Sequence, residues 1–302
     1  YDYSGGTATT SLNGKYFRMS DNCGAISLSN ATDGNLDLGS SGGTDCTTPG
    51  FGGPGNTHAS RTGFYHLTLI NQIAQTYYPS NSWLQSKVTA NMNINDQCNA
   101  YWDGYSLNFF KSGGGCSNTG ELAGVFLHEW GHGMDQNTGG AAAENGSGEA
   151  VGDTFSFLYT KDSCIGTNFY PSGTCHNCST GCTGVRDVAA FAVYGPDGTP
   201  MQGNVIAKPS TVKDPNGIDA YGSCPYYTPS GFPYQGPMGY EGHDESLIAS
   251  SANWDLTRIL INEFGPQEGW QQMNRIWYAS LVPSKRAYQA VSGGQFTPSA
   301  GG

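Results

Sequence analysis

The stretch LHEWGHGMD, Leu127 to Asp135, sets His128 and His132 four positions apart and puts Glu129 directly after the first histidine. On a helix, positions i and i+4 lie one turn apart on the same face, so both imidazoles can point at one ion. A catalytic zinc takes three protein ligands and keeps a position open, whereas a structural zinc is usually closed by four, mostly cysteines. Two histidines therefore call for a third ligand. Glu149 and Asp153, in GSGEAVGDTFSFL, sit one turn apart on a second predicted helix. Glu149 is the expected third ligand, and Asp153 is expected to reach back to a free ring nitrogen of His128 or His132 and fix its tautomer. Asp135 and Glu144 are the rival third ligands. Glu129, rotated about 100° from His128 on the helix, stays off the metal but beside a water near it. There a carboxylate can take a proton and pass it to a leaving amine. That chemistry is hydrolysis of a peptide bond with no covalent intermediate.

These side chains need elements to hold them. The motif helix is expected to start near Asn118, which can cap it, with Glu121 three positions on as in a capping box. Before it, RTGFYHLTLINQIAQTYYP places Phe64, Leu67, Ile70, Ala74 and Tyr77 at helical spacing and stops at Pro79. This predicts a buried helix in which His66 is structural. KVTANMNI and NAYWDGYSLNFF read as strands closing on the Gly-rich KSGGGCSNTG. Residues 1 to about 60 are turn-rich, with short β-prone pieces such as GKYFRMS. Past Gly195 the chain is rich in Pro, Gly, Tyr and Asp up to about Met238. ESLIASSANWDLTRILINEF and PQEGWQQMNRIWYASLV then read as two amphipathic helices, the second opened by Pro266 at a favoured first position. The last ten residues read as a frayed tail, and no internal repeat is visible.

The 302 residues allow one large domain or two lobes around a core. A formal net charge of -11 argues against nucleic acid, whose phosphates require a basic surface. The scarcity of lysine argues against an anionic membrane surface, and no apolar run approaches the roughly 20 residues of a membrane span. Nine cysteines in a Gly-, Ser-, Thr- and Asn-rich chain point to an oxidising compartment, hence to secretion. The chain begins at Tyr1, not Met, and is read as mature after loss of a signal and a propeptide. Sequence proximity suggests pairing Cys23 with Cys46 and Cys98 with Cys116. Connectivity among Cys164, Cys175, Cys178, Cys182 and Cys224 cannot be deduced. CHNCSTGC also has zinc-knot spacing, but disulfides suit an exported chain better.

HEWGHGMD, followed by TGG and then GEAVGD, resembles the gluzincin metallopeptidases. The likeness is to fungalysin in particular, whose zinc helix runs on into a similar Thr-Gly-Gly and a Gly-Glu-x-x-x-Asp element. NAYWDG is similar to the Asn-Ala-aromatic-Trp segment of the thermolysin family, an edge strand that pairs with an extended peptide substrate. The resemblance implies that the backbone of Asn99 and Ala100 and the side chain of Asn99 hold substrate, which in physical terms is β-augmentation. GVRDV puts Arg186 about where thermolysin-like enzymes carry an arginine that binds the substrate carbonyl; the alternative is a surface arginine paired with Asp187. GHDESLIASSANWDL resembles the start of the helix that carries the transition-state histidine in both families. That role passes to His243, where an N–H would stabilise the oxyanion; helix capping is the alternative. Thermolysin-like enzymes add a tyrosine between the two zinc-ligand helices. No tyrosine lies between Asp135 and Gly148, so Tyr240 is the candidate replacement.

The implied fold is α+β and zincin-like. It has a mixed, β-rich N-terminal lobe over 1–137, ending in the zinc helix, and a mainly helical C-terminal lobe over 138–302, with the active site between them. The leading function is a secreted zinc endopeptidase acting on protein or peptide substrates bound as an extended strand, and a monomer is expected. An aminopeptidase would need an acidic holder for the substrate amine, typically in a Gly-x-Met-x-Asn segment, which is not found. A non-catalytic zinc-binding module would have lost Glu129 or a ligand. Two loops are candidate calcium sites: Asp33, Asn35 and Asp37 in TDGNLDLG, and Asp214, Asn216 and Asp219 in KDPNGIDAYG. Each spaces its oxygens as in the first part of an EF-hand loop but lacks the distal glutamate, so a solvated turn is the alternative.

Overall fold

A computed structural model of the chain describes residues 2–31, 42–138, 145–173, 181–189, 193–194, 200–201, 242–291 and 295–298. They divide into two compact units, Tyr1–Gly133 with Gly166–Gly173, and Met134–Ile165 with Thr174–Gly302. The fold is mixed α/β.

In the first unit, β1 (Asp2–Ser4), β2 (Thr7–Thr10) and β4 (Leu28–Ala31) form a small antiparallel sheet. The main sheet has the order β3-β5-β7-β6, from β3 (Phe17–Asp21), β5 (Val88–Ile94), β6 (Ala100–Trp102) and β7 (Ser106–Phe110). β3, β5 and β7 run parallel, and β6 closes the order antiparallel to β7. Parallel neighbours need a crossover. Between β3 and β5 the chain passes through α1 (His58–Tyr77) and the short α2 (Ser82–Gln85). α1 starts three residues before Arg61 because Thr57 caps it, its Oγ1 accepting from Ser60 N at 3.1 Å. Leu67, Ile70 and Ala74 form its buried stripe. Phe17, Met19, Ala90, Met92, Leu107 and Phe109 are among the buried residues of the sheet.

A polar chain ties the ends of these elements together. Asp21 accepts from Thr57 Oγ1 and Ser60 Oγ, both at 2.6 Å, and from Asn93 Nδ2 at 2.9 Å. Asn93 Oδ1 in turn accepts from Asn118 Nδ2 at 2.6 Å. Fully partnered buried groups of this kind specify one arrangement, because any alternative leaves one of them unsatisfied.

The second unit is mainly helical, from α4 (Asn145–Thr160), α5 (Gly242–Phe264) and α6 (Pro266–Ala287). Phe157, Leu158, Ile165, Val188, Leu247 and Met273 form its buried core, flanked by Trp254, Trp270 and Trp277. Phe157 meets Trp254 edge to face at 5.4 Å, the offset that aromatic quadrupoles favour. α5 stops where expected. Gly265 takes a φ of +82°, its N–H bonds to Ile261 O at 2.9 Å, and Pro266 opens α6. Short pairs β8 (Cys164–Ile165) with β9 (Arg186–Asp187) and β10 (Val193–Tyr194) with β11 (Pro200–Met201) join them. The tail expected to fray instead contributes a hairpin, β12 (Tyr288–Val291) with β13 (Gln295–Pro298). The cue was the alternation in QFTP, too short to stand out in the sequence.

Among the described residues three disulfides are formed. Cys23–Cys46 and Cys98–Cys116 are the pairs that proximity suggested, and Cys164–Cys182 is the one it could not choose. Cys175, Cys178 and Cys224 lie outside the described residues. Among the described residues, no helix is long and apolar enough to cross a membrane.

Candidate metal centre

The motif helix α3 spans Ala123–Thr138. It starts later than Asn118 because Asn118 caps a separate 3₁₀ turn, Thr119–Glu121, accepting from Gly120 N at 3.0 Å, and Leu122 is then extended. Phe126, Leu127, Trp130 and Met134 are fully buried on α3, which fixes its rotation. On the same helix His128 and Glu129 are buried and His132 is half-buried. The Nε2 atoms of His128 and His132 lie 3.1 Å apart with their rings nearly perpendicular. Two nitrogens at 2.0–2.1 Å from a tetrahedral zinc would be about 3.3 Å apart.

Glu129 is held from the sheet. Its Oε2 accepts from Trp102 N at 3.0 Å. In the β6–β7 ladder Tyr101 faces Asn108 and Trp102 faces Leu107, and Asp103 N bonds to Ser106 O. Antiparallel pairs alternate between bonded and non-bonded positions, so Ala100 and Trp102 turn their peptide groups away from β7. The Trp102 N–H bound to Glu129 agrees with that alternation. Ala100 is 8% exposed and Asn99 is exposed. The Asn99 carbonyl accepts from Thr119 Oγ1 at 3.1 Å. Gly133 lets this group close up: a Cβ there would stand 2.7 Å from the Trp83 ring, which packs in turn on Trp102 and Trp130.

In the second unit, Glu149 and Asp153 stand one turn apart on α4. Asp153 is fully buried and takes three bonds from Arg186: Nε at 3.0 and 2.8 Å and Nη2 at 2.7 Å. Arg186 Nη2 also reaches Glu149 Oε2 at 3.2 Å. Arg186 is therefore a buried arginine bridging two carboxylates, and the surface alternative does not hold. Its strand β9 is pinned to β8 beside Cys164–Cys182. Ser246 Oγ lies 3.2 Å from Asp153 Oδ2. His243 stands in the first turn of α5 with its side chain 56% exposed and Nε2 3.3 Å from Glu149 Oε2. Spacing placed Glu149 and Asp153 on one helix and had Asp153 reach a ring nitrogen of His128 or His132; the bonds that Asp153 takes from Arg186 and Ser246 were not anticipated, although two carboxylates one turn apart in an apolar helix demand a nearby cation.

His128, His132 and Glu149 each offer one ligand atom, and the three atoms lie within 4.8 Å of one another. Two imidazoles and one carboxylate are a donor set that suits zinc. Asp33, Asn35, Asp37, Asp214 and Asp219 lie outside the described residues, as do Glu144 and Tyr240.

No model of a known protein family matches the chain, and none of the curated proteins does. In fold it is similar to the solved structure of a precursor of protealysin, a metalloproteinase from Serratia proteamaculans. The TM-score is 0.53 at 14% identity, over 91% of this chain and 76% of that one. At that identity the likeness concerns the fold. Fold and site together thus define a mixed α/β chain with a two-histidine, one-glutamate group able to hold a metal.

Proposed function

We propose that the chain is a secreted zinc endopeptidase of the gluzincin type, with a zincin-like fold. The observation that carries the reading is the convergence of His128, His132 and Glu149, with the carboxylate of Glu129 held on the same helix. Zinc bound by these three residues would supply Lewis acidity and lower the pKa of water to about 7. Glu129 then has a proton to accept. The Trp102 N–H holds the Glu129 carboxylate in place, and that carboxylate would take a proton from the attacking water and deliver it to the leaving amine.

The substrate lies extended along β6, whose outward peptide groups at Ala100 offer the bonds of an added strand, with the Asn99 side chain beside them. His243 donates an N–H to the developing oxyanion. Arg186 bridges Glu149 and Asp153 and binds a substrate carbonyl as the resemblance implies. Asp153 orients the metal-binding edge of the site. Secretion is supported by the three disulfides.

The test is incubation of the purified protein with a denatured protein, with and without a zinc chelator, and mass analysis of the products. Internal fragments that vanish with chelator and return with zinc are expected. Release of terminal residues alone would instead make the chain an aminopeptidase, and cleavage indifferent to chelator would remove the metal from the account.

A further inference from the structure

Thr119 is fully buried, and its hydroxyl has a full set of partners. Oγ1 accepts from Phe110 N at 2.8 Å and shares its single proton between Asn99 O at 3.1 Å and Phe110 O at 3.2 Å. It thus joins the last residue of β7 to the residue that precedes β6. No cis peptide bond occurs among the described residues. In a trans peptide, the carbonyl of one residue and the N–H of the next point in opposite directions. Drawing the Asn99 carbonyl inward to Thr119 therefore turns the Ala100 N–H outward, away from β7. The ladder alternation requires the same orientation from the other end of the strand, where the Trp102 N–H turns outward to Glu129. One hydroxyl and one carboxylate thus set the two ends of β6. The turn that carries Thr119 is itself anchored, because Asn118 is bonded to Asn93.

We propose that Thr119 is a positioning residue for substrate. By holding the Asn99–Ala100 peptide, it presents the Ala100 N–H to a backbone carbonyl of an extended peptide. The inference rests on the endopeptidase reading and adds to it a residue that touches neither substrate nor metal.

The test compares two substrates, a hexapeptide long enough to lie along β6 and a blocked dipeptide that spans only the scissile bond. Thr119→Val keeps the shape and removes the hydroxyl; Thr119→Ser keeps the hydroxyl. In Thr119→Val, the ratio of kcat/KM for the hexapeptide to kcat/KM for the dipeptide is expected to fall about tenfold, equivalent to about 1.4 kcal/mol, chiefly through KM. Thr119→Ser is expected to keep the wild-type ratio. A loss of folded protein lowers both rates together and cancels in the ratio, so a purely structural threonine leaves it unchanged, and that result overturns the proposal. Should Thr119→Val yield no folded protein, Ala100→Pro decides. It deletes the outward N–H directly, at a terminal-strand position where proline is tolerated. A hexapeptide KM raised about tenfold supports the proposal, and an unchanged KM refutes it. If the wild type cleaves neither substrate, the endopeptidase reading fails first; an active wild type with a flat ratio sinks only the role of Thr119.

Discussion

Arg186 carries its charge into a setting where Asp153 is fully buried and Glu149 is a metal-ligand candidate. Removing the cation leaves a buried carboxylate without its counter-charge, which typically costs about 3–5 kcal/mol. Arg186→Met is therefore expected to lower the unfolding free energy measured by urea titration by an amount in that range, with a matching fall in the midpoint. Arg186→Lys should recover only part of it, since an ammonium cannot make the forked contact to Asp153. A midpoint unmoved by Arg186→Met would show that the three short bonds are incidental. At this scale the sequence was informative wherever partners are local. His128, Glu129 and His132 lie within one turn and a fraction, and Glu149 and Asp153 within another, so helical spacing alone aligned them. The Asp153–Arg186 pair spans 33 positions and the Glu129–Trp102 bond 27. No periodicity records such separations, which only a finished fold brings together.

The elements do their part through close packing around α3. Gly133 sits under the Trp83 ring, which packs on both Trp102 and Trp130, so the methyl of Gly133→Ala must displace an aromatic cluster. Overpacking of this kind costs about 1–3 kcal/mol, measurable by thermal unfolding. It should also weaken hydrolysis, because Trp102 is what holds Glu129. On its other side α3 meets α1, where half-buried His66 stacks on Phe126 at 5.6 Å. Burial lowers the His66 pKa from its ordinary value. The unfolded chain therefore binds a proton near pH 6.5 that the folded chain resists, and stability falls as pH drops through that range. His66→Phe should flatten this part of the pH dependence between pH 7 and 5, read as the difference in midpoint from the wild type. An identical slope in both proteins would assign the acid sensitivity elsewhere. The long helices were legible because their apolar stripes repeat over several turns. The break at Leu122 was not, since Asn118 and Glu121 carry a capping pattern that serves a 3₁₀ turn as well as an α-helix.

Across the whole molecule, low charge and bridged loops suit a chain that works outside a reducing compartment. The Cys98–Cys116 bridge closes a loop with a separation of 18 residues that contains β6 and β7. Loop-closure entropy assigns it about 3 kcal/mol. Replacing both cysteines by alanine should lower stability by about that amount. A cost below about 1 kcal/mol would mean that the reduced loop is already ordered by Thr119 and the sheet. In the proposed mechanism three residues hold one zinc, and Glu129 works beside it without holding it. Its most direct test is the zinc content and the hydrolytic rate of Glu129→Gln measured on the same preparation. The account predicts one zinc per chain, as in the wild type, with a rate on denatured protein reduced by a factor of about 100 to 10,000. A variant that loses its zinc would make Glu129 a ligand, and one that keeps both its zinc and its rate would contradict the mechanism.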